Sequence, residues 1–340
     1  MIRHGFTDRF FNRFALRHRA FRRFCFEREC ARNGHKFEPR RENLFLVGVA
    51  RSGSTALLNC LFANDVFAST CYRHMPFVMA PSLSRLVAAI PRKTMEASER
   101  RHGDGIRVDL DSPEALDGVF WSTYLDREED RILPYDPEEE LLRRYAMFID
   151  NLLLHSAGNR YLSKMNQHIE LLPALALYFE RSLFLLPFRD PLQQAASLLR
   201  QHRNFARLSA YEAEYLRWLG HCEFGATHLG FYESSAQEIS KFPVDCLDYW
   251  LEQWHNGYSY LSRLLDHHPN LIPLGYERLA GSTNAWRELS QRIGVEVSGD
   301  QFHNCNDASI ESSAQFDASL MESCQALYAQ LSEQDRVRSC

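Results

Sequence analysis

A short apolar run that ends in a glycine loop constrains this chain more than any other feature of its sequence. Residues 43–49 read Asn-Leu-Phe-Leu-Val-Gly-Val, and a run of this length that stops at Gly and Ser is typical of a buried parallel strand. Residues 54–62 then have helical spacing, with Leu57, Leu58 and Leu61 on one face. The sequence therefore predicts a strand, a glycine loop and a helix, in that order.

Further apolar runs and helical patterns alternate along the rest of the chain. Residues 182–188 and 271–275 have the pattern of two further buried strands, and a helix follows the first of them through Leu198 and Leu199. Strands that alternate with helices favour a mostly parallel α/β sheet with right-handed crossovers. Helical spacing also predicts helices at residues 114–126, 138–155, 171–178, 244–267, 284–293 and 316–331.

Size and composition are those of an ordinary soluble globule. The chain has 340 residues, 45% of them apolar and 24% charged, and a net charge of -5 that excludes a molecule-wide nucleic-acid surface. No apolar run approaches the roughly 18 residues of a membrane span. The 9 cysteines include no C-x-x-C pair, which argues against zinc and favours a reducing compartment. Since the N-terminus also lacks the apolar region of a secretory signal, we expect a cytoplasmic protein.

Residues 1–42 form a distinct basic and aromatic arm. Phe6, Phe10, Phe14 and Phe21 lie near helical spacing, with arginines between them. The simplest interpretation is a helix that packs on the domain with solvated arginines. Peripheral contact of residues 1–34 with an anionic membrane, or contact with an acidic substrate or partner subunit, are alternatives. The sequence does not indicate an oligomeric state.

The loop after the first strand has the skeleton of a phosphate-binding loop. Gly48 and Gly53 are five positions apart and are followed by Ser54 and Thr55. Glycines let the backbone curl so that several N–H groups point inward, and the following helix adds its positive N-terminus. The hydroxyls of Ser52, Ser54 and Thr55 can donate to phosphate oxygens. The segment is therefore a candidate anion site.

The loop differs from that of nucleoside triphosphatases in the position of its cation. Ser54 stands where those proteins have Lys, and the cation comes earlier, at Arg51. The strand at residues 182–188 is followed by Arg189 and Asp190, and we expect these two to pair with each other rather than to bind magnesium. A magnesium-dependent kinase is therefore disfavoured, and no metal is expected.

Two motifs carry a family resemblance. Val47–Thr55, with Arg51 before Ser-Gly-Ser-Thr, resembles the 5′-phosphosulfate loop of sulfotransferases that use 3′-phosphoadenosine 5′-phosphosulfate (PAPS). Arg189 at a strand end and Ser197 on the next helix resemble that family's site for the nucleotide 3′-phosphate. The resemblance implies a three-layer α/β fold, with a mostly parallel sheet flanked by helices, like that of P-loop nucleoside triphosphatases. It also implies PAPS as co-substrate, with Arg51–Thr55, Arg189 and Ser197 as its binding residues.

The resemblance extends more weakly to other parts of the chain. Tyr161–Met165 resembles the strand that precedes the 3′-phosphate motif, with Lys164 near its end, and Tyr276–Leu279 resembles a stretch found late in these proteins. We expect a sulfotransferase domain over residues 43–300. Its residues 64–160 are expected to form a helical cap that binds the acceptor, and residues 301–340 a C-terminal helical tail.

The catalytic residues are less well defined than the binding residues. Arg51 is the candidate for stabilising the leaving-group oxygens, and Lys164 for a position near the sulfuryl group. The family uses His or Glu as the general base, and His74 and His102 are the candidates here. Glu114 is a further candidate, although it is expected to begin a helix and complement its dipole.

The resemblance implies transfer of a sulfuryl group to a hydroxyl or amine of a small molecule or glycan. Two alternatives stay open from the residues themselves. One is an ATP-dependent small-molecule phosphotransferase with an atypical P-loop, and the other is a catalytically inactive nucleotide-binding module. Carbohydrate, lipid, phenolic and tyrosine acceptors are all compatible with the sequence.

Overall fold

The computed structural model describes residues 6–34, 42–88, 98–99, 107–125, 131–164, 166, 168–233, 240–302 and 316–339. Its strands are β1 Leu44–Leu46, β2 Phe67–Ala68, β3 Ser98–Glu99, β4 Arg107–Val108, β5 Arg131–Ile132, β6 Arg160–Lys164, β7 Leu183–Phe188, β8 Phe231–Tyr232 and β9 Leu271–Gly275. Its helices are α1 Phe6–Arg17, α2 Arg19–Asn33, α3 Ser54–Phe62, α4 Pro81–Ala88, α5 Asp117–Tyr124, α6 Glu139–Leu153, α7 His168–Tyr178, α8 Pro191–Phe205, α9 Ala210–Trp218, α10 Leu247–Leu265, α11 Tyr276–Gly281, α12 Thr283–Ile293 and α13 Ala318–Ser339.

Five of these strands form one parallel sheet in the order β2-β6-β1-β7-β9. The central strand β1 places Leu46 opposite Lys164 of β6 and opposite Leu185 of β7. This confirms the predicted parallel α/β architecture. The remaining strands form two small pairs, β3 with β4 and β5 with β8.

The alternation of side chains along β1 divides the core between two faces of the sheet. Phe45 faces one side and stacks on Phe184 of β7, with ring centroids 4.8 Å apart. Helices α6, α7, α8, α10 and α13 contribute apolar side chains to the cluster on this side. Leu44 and Leu46 face the other side, where they share a cluster with α3 and α12. Helices therefore cover both faces, as the fold class requires.

The basic arm forms two helices that pack on the domain. Arg22 of α2 is buried and donates to the carbonyl oxygens of Val119 and Trp218, each at 3.3 Å, and to the hydroxyl of Ser122 at 2.8 Å. Its guanidinium thus links α2 to α5 and to the end of α9. These contacts agree with the packed interpretation of the arm.

The helical patterns predict most helices with boundaries close to those observed. Helix α13 continues well past the predicted end at residue 331, to Ser339. The aromatic helix predicted at 244–267 is α10, and Trp254 and Tyr258 are buried in the core as expected. Within the described ranges, no helix is long and apolar enough to cross a membrane.

Candidate active site

The carboxyl ends of four neighbouring strands meet at one edge of the sheet. Lys164 ends β6, residues 47–53 follow β1, Arg189 follows β7, and Tyr276 follows β9. In an open α/β sheet this edge is where ligands bind. The topology therefore brings both sequence motifs to the same place.

Two residues of the loop after β1 adopt the left-handed backbone conformation. Gly53 has φ 85°, which costs glycine little, whereas Arg51 has φ 68°, a strained value for a residue with a Cβ. Gly53 is also the N-cap of α3, which begins at Ser54. Because glycine has no capping side chain, the first N–H groups of α3 stay available to an anion.

The Tyr276 ring joins the loop to the end of β7. A Cβ on Gly53 would lie 2.4 Å from Cδ2 of Tyr276, so the ring packs directly on the glycine. On the same ring lies the guanidinium of Arg189, with its Cζ 4.7 Å from the ring centroid. This contact explains why position 53 requires glycine, independently of its φ.

The two predicted phosphate motifs are in direct contact. Arg51 Nε donates to Ser197 Oγ at 3.0 Å, across 146 positions of the sequence. Ser197 is 3% exposed and lies on α8, the helix that follows Arg189. The structure thus brings Arg51 and Ser197 into contact, and Arg189 lies on the Tyr276 ring that packs on Gly53.

The hydroxyl-bearing residues of the loop lie beside Arg51. Ser52 is 1% exposed, and its buried hydroxyl makes no well-formed hydrogen bond with the described residues. Ser54 is buried in the first turn of α3, and Thr55, which follows it, is partly buried. A buried hydroxyl in this state is a candidate ligand contact.

Asp190 has a role in the fold that the sequence analysis does not predict. Asp190 is the N-cap of α8, and its Oδ1 accepts from Gln193 N at 2.9 Å. Pro191 at the first helical position favours this geometry, and the cap engages Oδ1 of the carboxylate. The Glu277 carboxylate also lies at ion-pair distance from Arg189, with 4.0 Å between Arg189 Nε and Glu277 Oε1.

The side chain of Gln194, which the sequence analysis does not single out, supports the loop after β1. Gln194 Nε2 donates to the carbonyl oxygens of Ala50 at 2.9 Å and Val49 at 3.2 Å. Its Oε1 accepts from Trp254 Nε1 at 3.0 Å, and the Tyr258 hydroxyl is also within hydrogen-bonding distance. Gln194 is fully buried, so these bonds fix the backbone just before Arg51. A glutamine three residues before Ser197 carries no motif, so only the structure identifies it.

His74 is buried in a short 3₁₀ turn, Tyr72–His74, that follows β2. Its Nδ1 accepts from the Cys71 backbone N–H at 2.8 Å. Burial, and secondarily the charge of Arg73, lower the pKa of His74 to about 4. The ring is therefore neutral near pH 7, and a neutral ring that accepts at Nδ1 carries its hydrogen on Nε2.

Glu114 does not begin a helix, contrary to expectation. Helix α5 begins three residues later, at Asp117, because the backbone of Glu114 pairs with Thr70. Glu114 N donates to the Thr70 carbonyl oxygen at 2.9 Å, and Thr70 Oγ1 donates to the Glu114 carbonyl oxygen at 2.6 Å. Its Oε2 accepts from the Tyr72 hydroxyl at 2.5 Å. Glu114 is therefore held beside the turn that carries His74.

Asp117 is a buried carboxylate that the sequence analysis does not single out. It accepts hydrogen bonds from the hydroxyls of Tyr145 at 2.5 Å, Tyr161 at 2.6 Å and Ser163 at 2.7 Å. Burial raises its pKa, although these bonds act in the opposite direction. Two of the donors lie on β6, so the network holds the strand that ends at Lys164.

The remaining predicted catalytic residues are less closely defined. Lys164 is partly buried at the end of β6, and its Cα is in register with Leu46 beside the loop. His102 lies outside the described residues. No group of three or more His, Cys, Asp or Glu within the described ranges could hold a metal ion. The positive charge at this edge comes from arginine and lysine side chains.

Comparison with known proteins gives the family. The model of the Sulfotransferase family matches residues 43–298. A search of curated proteins finds no match. Among solved structures, sulfotransferase STF9 from Mycobacterium avium is similar, with a TM-score of 0.52 and 12% identity over 93% of this chain and 81% of that one. Sulfotransferase STF1 from Mycobacterium tuberculosis H37Rv has a TM-score of 0.49 and 12% identity, over 95% of this chain and 85% of that one. Since the family model spans most of the sequence and includes both phosphate motifs, the chain belongs to the sulfotransferase family.

Proposed function

We propose that this protein transfers a sulfuryl group from PAPS to a hydroxyl or amine group of an acceptor. The observation that carries the proposal is the 3.0 Å hydrogen bond from Arg51 Nε to Ser197 Oγ. This bond joins the loop after β1, which is suited to one phosphate group, to α8. Together with the end of β7, α8 is suited to a second phosphate group. A nucleotide with phosphate groups at its 5′ and 3′ positions would use both.

The residues at this edge fit an anionic nucleotide. Arg51 and Arg189 supply positive charge, and the N-terminus of α3 adds its dipole. The buried Ser52 hydroxyl makes no well-formed hydrogen bond with the described residues, and a phosphate oxygen would satisfy it. We assign the 5′-phosphate to the loop, through Ser52, Gly53, Ser54 and Thr55, and the 3′-phosphate to Arg189 and Ser197.

The transfer itself requires charge stabilisation more than covalent catalysis. The acceptor oxygen or nitrogen forms a bond to sulfur while the bond from sulfur to the 5′-phosphate oxygen breaks, and the acceptor loses its proton to a base. Negative charge then builds on the departing phosphate. We assign the stabilisation of that charge to Arg51, since its hydrogen bond to Ser197 orients the guanidinium before the reaction. Lys164, on the neighbouring strand, is proposed to act on the sulfuryl oxygens.

The general base is proposed to be Glu114 rather than His74. In the tautomer that accepts from Cys71 N, neutral His74 has no lone pair left to take a proton. Glu114 is a partly buried carboxylate whose Oε2 is oriented by the Tyr72 hydroxyl. His102 stays a candidate from the sequence alone.

Nucleotide binding gives the first test. Adenosine 3′,5′-bisphosphate is expected to raise the melting temperature by several degrees in the presence of EDTA, because a ligand that binds only the folded state stabilises it. ATP would be the comparison ligand, with and without magnesium. The absence of any shift at millimolar bisphosphate, or a shift that needs ATP and magnesium, would overturn the proposal.

Sulfate transfer gives the second test. The protein would be incubated with PAPS and panels of phenols, alcohols, amines and glycans, and mass spectrometry would detect the added sulfate. Arg51→Ala is the negative control. A product that forms equally with this variant would contradict the assignment of the site.

A further inference from the structure

The C-terminal helix α13 lies outside the residues that the family model matches. Two of its side chains contact the segment that follows β9. Tyr328 and Asp335 lie about two turns apart on α13 and share one face. Asp335 is 2% exposed; its Oδ2 accepts from Gly275 N at 3.0 Å and its Oδ1 accepts from Arg278 Nη1 at 2.7 Å. These two bonds hold the chain on either side of the intervening pair, Tyr276 and Glu277.

Tyr328 connects α13 to the candidate 3′-phosphate subsite, which consists of Arg189 and Ser197. Its hydroxyl donates to Glu277 Oε2 at 2.9 Å, while its ring packs edge-on against Phe188 with centroids 5.7 Å apart. The other oxygen, Glu277 Oε1, accepts from Asp190 N at 2.9 Å and lies 4.0 Å from Arg189 Nε. Burial, and secondarily the Glu277 carboxylate, raise the pKa of Tyr328, so its hydroxyl stays a donor near pH 7.

We propose that Tyr328 is a positioning residue for nucleotide 3′-phosphate binding: through Glu277 it fixes the turn that carries Arg189 and begins α8. The inference rests on the proposed function. It extends the site beyond the family match at residues 43–298, because α13 begins at Ala318.

The physical reason lies in the way the Glu277 carboxylate is held. With Tyr328 on one oxygen and Asp190 N on the other, the carboxylate is fixed in its present orientation. A carboxylate released on the Tyr328 side can rotate towards Arg189 and neutralise it, and it then competes with phosphate for the guanidinium. Tyr328 thus holds Glu277 in its present position, 4.0 Å from Arg189 Nε, and limits its competition with phosphate for the guanidinium.

Nucleotide selectivity provides a readout that a purely structural role would not change. Tyr328→Phe keeps the ring on Phe188 and removes only the hydroxyl. Calorimetric titration is expected to show about fivefold weaker binding of adenosine 3′,5′-bisphosphate, the effect of losing roughly one hydrogen bond. Binding of AMP, which has no 3′-phosphate, is expected to be unchanged. The matched control is Tyr260→Phe, because the buried Tyr260 hydroxyl has no hydrogen-bond partner among the described residues.

The role of Glu277 is tested by a double-mutant cycle. In a Glu277→Gln background, adding Tyr328→Phe is expected to have little further effect on bisphosphate binding, since the two act as one unit. Wild-type affinity of Tyr328→Phe for both nucleotides, or an equal loss for both, would overturn the inference. If the wild-type protein binds the bisphosphate no more tightly than AMP, the proposed function fails instead.

Discussion

The ring of Tyr276 occupies the space that a side chain on Gly53 would need. A Cβ at that position would lie 2.4 Å from Cδ2 of the ring, and the Arg189 guanidinium lies on the same ring. The loop after β1 therefore meets the end of β7 through an aromatic side chain that follows β9. A disturbance at Gly53 is consequently expected to reach Arg189.

The first prediction concerns Gly53→Ala. We expect it to destabilise the protein by about 2–4 kcal/mol, from left-handed strain and overpacking together, and to weaken adenosine 3′,5′-bisphosphate binding more than tenfold. Urea unfolding and calorimetry measure the two effects. Gly294→Ala is the matched control, because Gly294 also has positive φ, 67°, but has nothing within 4 Å of an added Cβ. It is expected to cost about 1–2 kcal/mol, from left-handed strain alone, without affecting binding. Equal effects at both glycines would rule out the contact with Tyr276 as the cause.

The second prediction separates catalysis from binding at Arg51. Arg51→Ala is expected to lower the rate of sulfate transfer by about 10²–10³-fold, the usual effect of removing one preorganised charge-stabilising group. Bisphosphate affinity is expected to fall much less, because the loop N–H groups and Ser52 are retained. Steady-state kinetics with an acceptor found by mass spectrometry measure the rate. An unchanged kcat would show that Arg51 is not the group that stabilises the leaving phosphate.

The third prediction concerns Arg189→Ala. Because Arg189 is assigned to the 3′-phosphate, the variant is expected to bind adenosine 3′,5′-bisphosphate at least about tenfold more weakly, as for a lost charge-assisted hydrogen bond. AMP affinity is expected to stay as in the wild type. Titration of both nucleotides makes the comparison, and a parallel loss for AMP would mean that Arg189 supports the fold instead.

The fourth prediction concerns the support beneath the loop. Gln194→Glu places a buried carboxylate against the carbonyl oxygens of Ala50 and Val49, and it is expected to destabilise the protein at pH 7 by about 3 kcal/mol or more. Acidification is expected to restore part of this loss, since a protonated carboxyl can donate where the amide did. Gln194→Met, uncharged and of similar length, should give a smaller loss with no such recovery. The comparison requires urea unfolding of both variants at neutral and acidic pH.

The fifth prediction is a pH dependence from His74. Burial lowers its pKa from 6.5 to about 4, so the unfolded chain binds a proton at a higher pH than the folded one does. The stability from the neutral ring is complete above about pH 6.5 and is lost towards pH 4, with a slope of up to about 1.4 kcal/mol per pH unit. His74→Asn, whose side-chain oxygen can accept from Cys71 N, is expected to flatten this part of the profile. It is also expected to retain most of the transfer activity, whereas a large loss of kcat would indicate that His74 is the base.

The sequence predicts a strand or helix wherever the hydrophobic pattern of that segment alone is sufficient to identify it. Residues 43–49 and 182–188 are apolar enough to be recognised as buried strands, and the glycine loop fixes the helix at Ser54–Phe62. Strand β2 was missed because its two residues, Phe67 and Ala68, are too few to show any periodicity. Its pairing with β6 depends on the rest of the sheet.

The site is predictable only where it follows a motif. Arg51, Arg189 and Ser197 are identified by their resemblance to the two family motifs, and the structure places all three at the same edge of the sheet. The roles of Gln194, Glu277 and Tyr328 depend on tertiary contacts between segments far apart in sequence, which no local pattern encodes. The cap that Asp190 provides for α8 is also not predicted, because Arg-Asp-Pro is compatible with a helix cap and with an ion pair.

The left-handed backbone of Arg51 has a consequence for how this protein could change. Glycine at this position would relieve roughly 1–2 kcal/mol of conformational strain, but it would also remove the guanidinium beside Ser197. Heat resistance and turnover therefore favour different residues at position 51. A laboratory selection for thermal tolerance alone is expected to tolerate replacement of this arginine, whereas a screen that also requires product formation is expected to retain it.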